Sequence, residues 1–143
     1  MKPARVLIVA HQTATGPALL DAVRRRAAAG ECTFTLLVPS APRGLHRVVD
    51  PEDHGRDAAE RALGDALPRL WEAAGTPVSG MVGCHEPFAA VQDALNVEGF
   101  DEVIVSTLPG RVSRWLRLDL PKKVAALGVP VTTVTAGEVA AAA

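Results

Sequence analysis

Four polar side chains stand where an α/β protein does its chemistry. His11 and Thr13 follow the first apolar run of the chain, and Ser106 and Thr107 end the fourth. If those two runs are strands lying side by side at a topological switch point, all four side chains face one crevice at the carboxyl ends. A histidine beside hydroxyls invites a nucleophile and its general base. Yet the sequence has no G-x-S-x-G elbow, and no acid is placed by motif to orient the imidazole. A crevice histidine that hydrogen-bonds its own loop is the plainer reading, with a small hydrolase built on His11 and Ser106 as an alternative. Receivers of phosphoryl groups with this architecture need paired acids after the first strand; His11-Gln12 stands there instead.

A second cluster is basic. Residues 110–123 hold Arg111, Arg114, Arg117, Lys122 and Lys123 against Asp119 alone. Such a segment captures an anion through side chains, with Gly110 in the turn before it, or it is a solvated helical face. A third reading is a basic patch that meets an acidic one across a dimer. His85-Glu86 does not recur with a second histidine at helical spacing, and Cys84 beside it is isolated, so no metal site is expected.

The elements that must position these residues follow from periodicity. Val6 to Ala10 is continuously apolar and β-branched, as a strand covered on both faces requires. Pro17 opens a helix with Leu19, Val23 and Ala27 on one stripe and Arg24, Arg25 and Arg26 mostly to solvent. Thr33 to Val38 is the second strand. Residues 39–55, rich in Pro and Gly, read as a long loop that is a lid, an interface or a solvated excursion, with Leu45, Val48 and Val49 packing down. A helix over 56–74 carries Leu63, Leu67, Leu70 and Trp71 inward, and Pro68 predicts a kink or a change of helix. Pro77 to Val82, with Gly80 inside it, reads as an edge strand. Phe88, Val91 and Leu95 mark the next helix, Glu102 to Ser106 the next strand, and Asp119-Leu120-Pro121 the start of a helix that Gly128 ends. Val129 to Val134 is the last strand, its proline again fitting an edge. Five strands alternating with four helices define a single α/β domain over residues 1–135, with a parallel sheet and helices on both faces. Residues 136–143, rich in alanine, are expected to fray.

Composition narrows the function classes. With 143 residues, 48% apolar and 22% charged, the chain is an ordinary globular domain. A net charge of -1 and 3% aromatics, with no tyrosine, argue against a base-stacking nucleic-acid surface. No apolar run reaches the ~20 residues of a membrane helix. Two distant cysteines and a start that runs straight into a strand point to a reduced, cytoplasmic setting.

Three stretches together resemble the universal stress protein family. They are Val6 to Leu20; Val82-Gly83 with Pro87, then Gly99 to Val105; and Ser113-Arg114-Trp115-Leu116 through Lys123-Val124 to Gly128-Val129-Pro130-Val131. The resemblance implies a flavodoxin-like sheet in the order 3-2-1-4-5, which makes strands one and four neighbours. It also implies a homodimer through the last strand, Val129 to Val134, and in one branch ATP binding. That branch carries Gly-x-x-Gly, nine residues, then Gly-Ser or Gly-Thr. Matched on Ser113-Arg114 and Lys123-Val124, those positions fall on Val105, Leu108, Leu118 and Asp119. The glycines that let backbone N–H groups approach phosphate are all gone. Asp119, as N-cap before Pro121, is expected to occupy the helix donors with its own carboxylate and repel an anion. His11 stands where the family has a strand-one acid.

The sequence therefore predicts a non-enzymatic, universal-stress-like cytoplasmic domain of a branch without the glycine motif, acting through dimerisation and protein or small-ligand contacts. The alternative is a nucleotide- or anion-binding stress sensor using the basic segment. The candidate ligand-binding residues are His11, Gln12, Thr13, Val38 at the end of the second strand, Ser106, Thr107, Gly110, Arg111, Ser113 and Arg114. No cofactor is expected from the residues themselves; ATP or AMP is what the resemblance would supply if nucleotide binding survives. No catalytic residue, metal, nucleic-acid or membrane partner is expected.

Overall fold

A computed structural model of the chain describes residues 3–11, 13–40, 51–109 and 113–136, with backbone alone for 51–56 and Arg117. Strand β1 (Ala4–Val9) lies at the centre, parallel to β2 (Cys32–Pro39) on one side and β4 (Glu102–Thr107) on the other. Outside β2 runs β3 (Val78–Gly83), and outside β4 runs β5 (Val131–Thr135). The order β3-β2-β1-β4-β5 is the one the resemblance implies.

Side-chain alternation along the strands divides the core in two. Val6 and Ile8 of β1 and Ala10 just past it, with Leu36, Val38 and Ile104, face Leu19 and Val23 of α1 (Pro17–Ala29) and Ala59, Ala66 and Leu70 of α2 (Pro51–Ala74). Leu7 and Val9, with Leu37, Val103 and Val105, face Val91 and Ala94 of α3 (Pro87–Val97) and Leu120 and Val124 of α5 (Leu120–Ala125). Burying each such aliphatic contributes about 1.5–3 kcal/mol. That outweighs the missing N-cap bond of α1, whose Gly16 offers no side chain, a loss on the order of a few tenths of a kcal/mol.

Helix α2 departs from expectation at three points. It begins at Pro51, so residues 51–55 are helix and not loop. A proline at N1 has its φ already set for the helix, and that local signal was hidden among the turn-formers around it. The proposed packing of Leu45, Val48 and Val49 lies outside the described residues. The helix also continues through Pro68, so of the kink or change of helix expected there, the change of helix does not occur. Pro68 and Gly64, whose carbonyl it cannot serve, are both exposed, so that carbonyl stays open to solvent and the loss is tolerated. Trp71, expected in the core, is 50% exposed, with its indole Nε1 donating to the Val78 carbonyl at 3.0 Å. Its polar edge ties it to the head of β3, while Ala66, Leu70 and Ala73 take the buried stripe.

Edge strand β3 shows why its glycines are there. A Cβ at Gly80 would stand 2.6 Å from Leu63 Cδ1, and one at Gly83 2.7 Å from the Ala90 Cβ. Both helices that cover β3 thus approach its backbone more closely than a side chain permits.

Candidate functional site

The register Val6↔Glu102 to Val9↔Val105 brings the carboxyl ends of β1 and β4 level with each other. Past β1 the chain turns tightly, with Ala14 N donating to the His11 carbonyl and Gly16 N to the Thr13 carbonyl. This turn carries Thr13 back over the end of β4, where Thr13 Oγ1 and Ser106 Oγ share a buried hydrogen bond of 2.6 Å. Ser106 alternates with Ile104, so the pair belongs to the α1–α2 face.

Thr107 alternates with Val103 and Val105 and faces the other side, toward α3 and α5. Carried past Leu7 and Val9, the alternation of β1 puts His11 on that side too. His11 Nε2 and Thr107 Oγ1 are both buried and both lack a hydrogen-bond partner among the described residues. Burial also pushes the His11 imidazole below its usual range, so it is neutral at pH 7. Of the four side chains grouped from the sequence, two are therefore bonded to each other and two have no partner among the described residues.

The other candidates divide in the same manner. Ser113 is buried, and its Oγ caps α4 (Arg114–Arg117) by accepting from Leu116 N at 3.1 Å. Val38 is fully buried in the α1–α2 core and presents no side chain to the crevice. Arg114 is exposed. Gln12, Gly110 and Arg111 lie outside the described residues. Asp119 corrects an expectation: it precedes α5 in the left-handed region (φ 55, ψ 37), and its carboxylate makes no capping bond. Its main chain bonds instead, N to the Leu116 carbonyl and O from Lys123 N, which holds the α4–α5 corner. Leu108 is half-buried and Leu118 exposed, each carrying a side chain where the resemblance would need glycine.

The opposite end of the sheet is held by contacts that local sequence does not announce. Arg26, expected in solvent, grips Glu102 with two bonds, Nε to Oε1 at 2.7 Å and Nη2 to Oε2 at 3.0 Å. That bonding raises the Arg26 pKa further and fixes the end of α1 to the start of β4. Arg5 N donates to Asp101 Oδ2 at 2.8 Å, and the Arg5 guanidinium lies 5.4 Å from the Phe100 ring centroid. No short motif marks partners 76 and 96 residues apart. Near the crevice, Glu86 is equally committed, accepting from Phe88 N at 3.1 Å to cap α3.

In a parallel doubly wound sheet of this order the topological switch point lies between β1 and β4, at the carboxyl ends of which His11 Nε2 and Thr107 Oγ1 have no partner among the described residues. No protein-family model matches the sequence, and no curated protein matches it. Solved structures do match the fold. A universal stress protein in complex with cAMP is 21% identical, with a TM-score of 0.62 over 92% of this chain and 96% of that one. A universal stress protein from Archaeoglobus fulgidus in complex with dAMP is 13% identical, with a TM-score of 0.61 over 93% of this chain and 98% of that one. A universal stress family protein from Burkholderia pseudomallei is 17% identical, with a TM-score of 0.59 over 91% and 94%. The chain has the universal stress protein fold.

Proposed function

We propose that this chain is a non-catalytic, cytoplasmic universal-stress-like domain that holds a small ligand at the carboxyl ends of β1 and β4 and works as a homodimer. The observation that carries this reading is that His11 Nε2 and Thr107 Oγ1, both buried near the switch point, have no hydrogen-bond partner among the described residues. Each unmet group costs about 1–3 kcal/mol, and a ligand that bonds both removes that penalty. The cAMP and dAMP in the complexes of similar fold support a ligand at this kind of site. The absence of a nucleophile–base pair among the described side chains supports a holding role, since Ser106 bonds Thr13 and not a histidine. Dimerisation is assigned to β5, an edge strand whose outer backbone groups need a partner and whose Thr132 and Thr133 are exposed.

A second reading, capture of an anion by Arg111 and Arg114, is supported by the exposed Arg114, Lys122 and Lys123, which form no ion pair among the described residues. Native mass spectrometry of freshly purified protein tests the leading reading. The expected spectrum is a dimer carrying a small molecule, absent from the double variant His11→Ala, Thr107→Val. A monomer at high micromolar concentration overturns the dimer. A ligand that survives in the double variant but not in Arg111→Ala, Arg114→Ala moves the site to the basic segment.

A further inference from the structure

We infer that the outer edge of β3 is a docking strip for an extended, uncharged segment of a partner protein, which joins the sheet beside Gly80 and Val82. The strip stands apart from the β1–β4 junction, with β2 between them. The hydrogen-bond pattern fixes which groups face outward. Along a parallel ladder, successive residues turn their N–H and C=O alternately to one side and to the other. Ser40 N donates to the Gly83 carbonyl at 2.9 Å, so Gly83 faces β2, in keeping with the register Pro39↔Gly83. Met81 and Ser79 alternate with Gly83 and face β2 as well, while Val82, Gly80 and Val78 turn away from the sheet. The Val78 carbonyl agrees with this, since it accepts from Trp71 Nε1 at 3.0 Å instead of from a strand. The main-chain groups of Gly80 and Val82 have no such partner among the described residues, and Gly80 is exposed.

Nothing on this edge turns a further strand away. Edges are blunted by charge, proline or a bulge. Strand β3 reads Val-Ser-Gly-Met-Val-Gly, with neither charge nor proline, and its pairing with β2 is continuous from Phe34↔Val78 to Pro39↔Gly83. A guest that satisfies main-chain groups along a pleated edge must itself be extended, because a helix has no free donors and acceptors along its length. Helix α2 forms one wall of the strip: Leu63 already occupies the place of a Gly80 Cβ, and Trp71 is 50% exposed with its indole N–H fixed at the head of β3. Trp71 offers its ring to an apolar side chain on that face, and Met81 lies on the other. A charged side chain finds no counter-ion on β3 itself. The choice of a foreign guest rests on the assignment of the homodimer to β5. Copies that paired through β5 and also through β3 would chain into an open fibre, so β3 is left to a different protein.

Heteronuclear NMR of the full chain, titrated with the capped peptide Lys-Val-Thr-Val-Thr-Val-Lys, tests this. The peptide supplies the alternation, and its terminal lysines keep it in solution. The expected result is saturable shifts of the Gly80 and Val82 amides, with their hydrogen exchange slowed at least about tenfold, while Thr133 on β5 is unmoved. Val82→Pro removes one outward N–H and should weaken the peptide by about tenfold. Ser79→Lys, a charge on an exposed edge position, should weaken it too and carries the test where Val82→Pro does not fold. Peptide shifts on Val131–Thr135 in place of β3, affinity unchanged in the folded variants, or no binding at all each overturns the inference. Gly80 and Val82 amides that already exchange slowly in the free protein overturn it as well, because the edge is then covered from within. Sedimentation showing assemblies larger than a dimer that disperse in Ser79→Lys puts a second copy on β3 and overturns the foreign guest. The native spectrum tests the small ligand and the β5 dimer separately, so failure there is distinct from failure here.

Discussion

The two faces of the β1–β4 junction carry similar polar groups in different states. On the α1–α2 side Thr13 and Ser106 bond each other at 2.6 Å. On the α3–α5 side His11 Nε2 and Thr107 Oγ1 are buried with no partner among the described residues. The first pair ties the loop after β1 to the end of β4 and belongs to the architecture. The second is left without a bond among the described residues, at a cost of about 1–3 kcal/mol for each group. Chemical type alone does not separate a structural hydroxyl from an available one; the state of its hydrogen bond does.

Ser106→Ala tests the bonded side and carries the largest expected effect. It leaves the Thr13 hydroxyl buried without a partner, so the unfolding free energy should fall by about 1–3 kcal/mol. Urea denaturation reads this, and adding Thr13→Val should recover part of the loss. A midpoint that does not move would mean the pair contributes nothing. Thr107→Val tests the other side and should act in the opposite direction, raising stability by about 1 kcal/mol because it removes an unpaired buried hydroxyl. A destabilisation as large as that of Ser106→Ala would erase the distinction between the faces.

The third test is pH, and its effect is the smallest. The folded pKa of His11 lies below 6.5 because burial disfavours the charged ring. Between the folded value and 6.5 the unfolded chain binds more protons, so stability rises with pH. The His11 contribution is complete above 6.5 and is lost as pH falls through the folded value. Melting temperatures from pH 7.5 down to pH 5 should therefore decline less steeply in His11→Gln than in the parent; parallel curves would show a histidine open to water.

Much of this fold was legible because strands covered on both faces write themselves as apolar runs. Val6 to Ala10 and Val103 to Val105 could be little else. Gly80 and Pro130 likewise marked the edges, since neither suits the middle of a ladder. The start of α2 at Pro51 was obscured by the prolines and glycines around it. Trp71 was misplaced because helical spacing gives a direction, while its indole N–H needed the Val78 carbonyl. The site was legible in its members and not in its division. Four polar residues at two strand ends can be counted from the sequence, but which face each takes depends on alternation carried into a turn. The capping role of Ser113 was open to reading, since a serine ahead of a short helical segment is a standard N-cap. The left-handed Asp119 had no such signal.

The long-range tethers at the two ends of the sheet also bear on how the chain is made. Arg5 meets Asp101, and Thr13 meets Ser106, across 96 and 93 residues. A ribosome delivers β1, β2 and β3 long before β4 exists, so the central strand spends much of translation as an open, strongly apolar edge. The sheet closes only when residues 101–107 arrive and the arginine at the start of the chain finds its carboxylate. For this protein, the last third of synthesis completes the middle of the molecule.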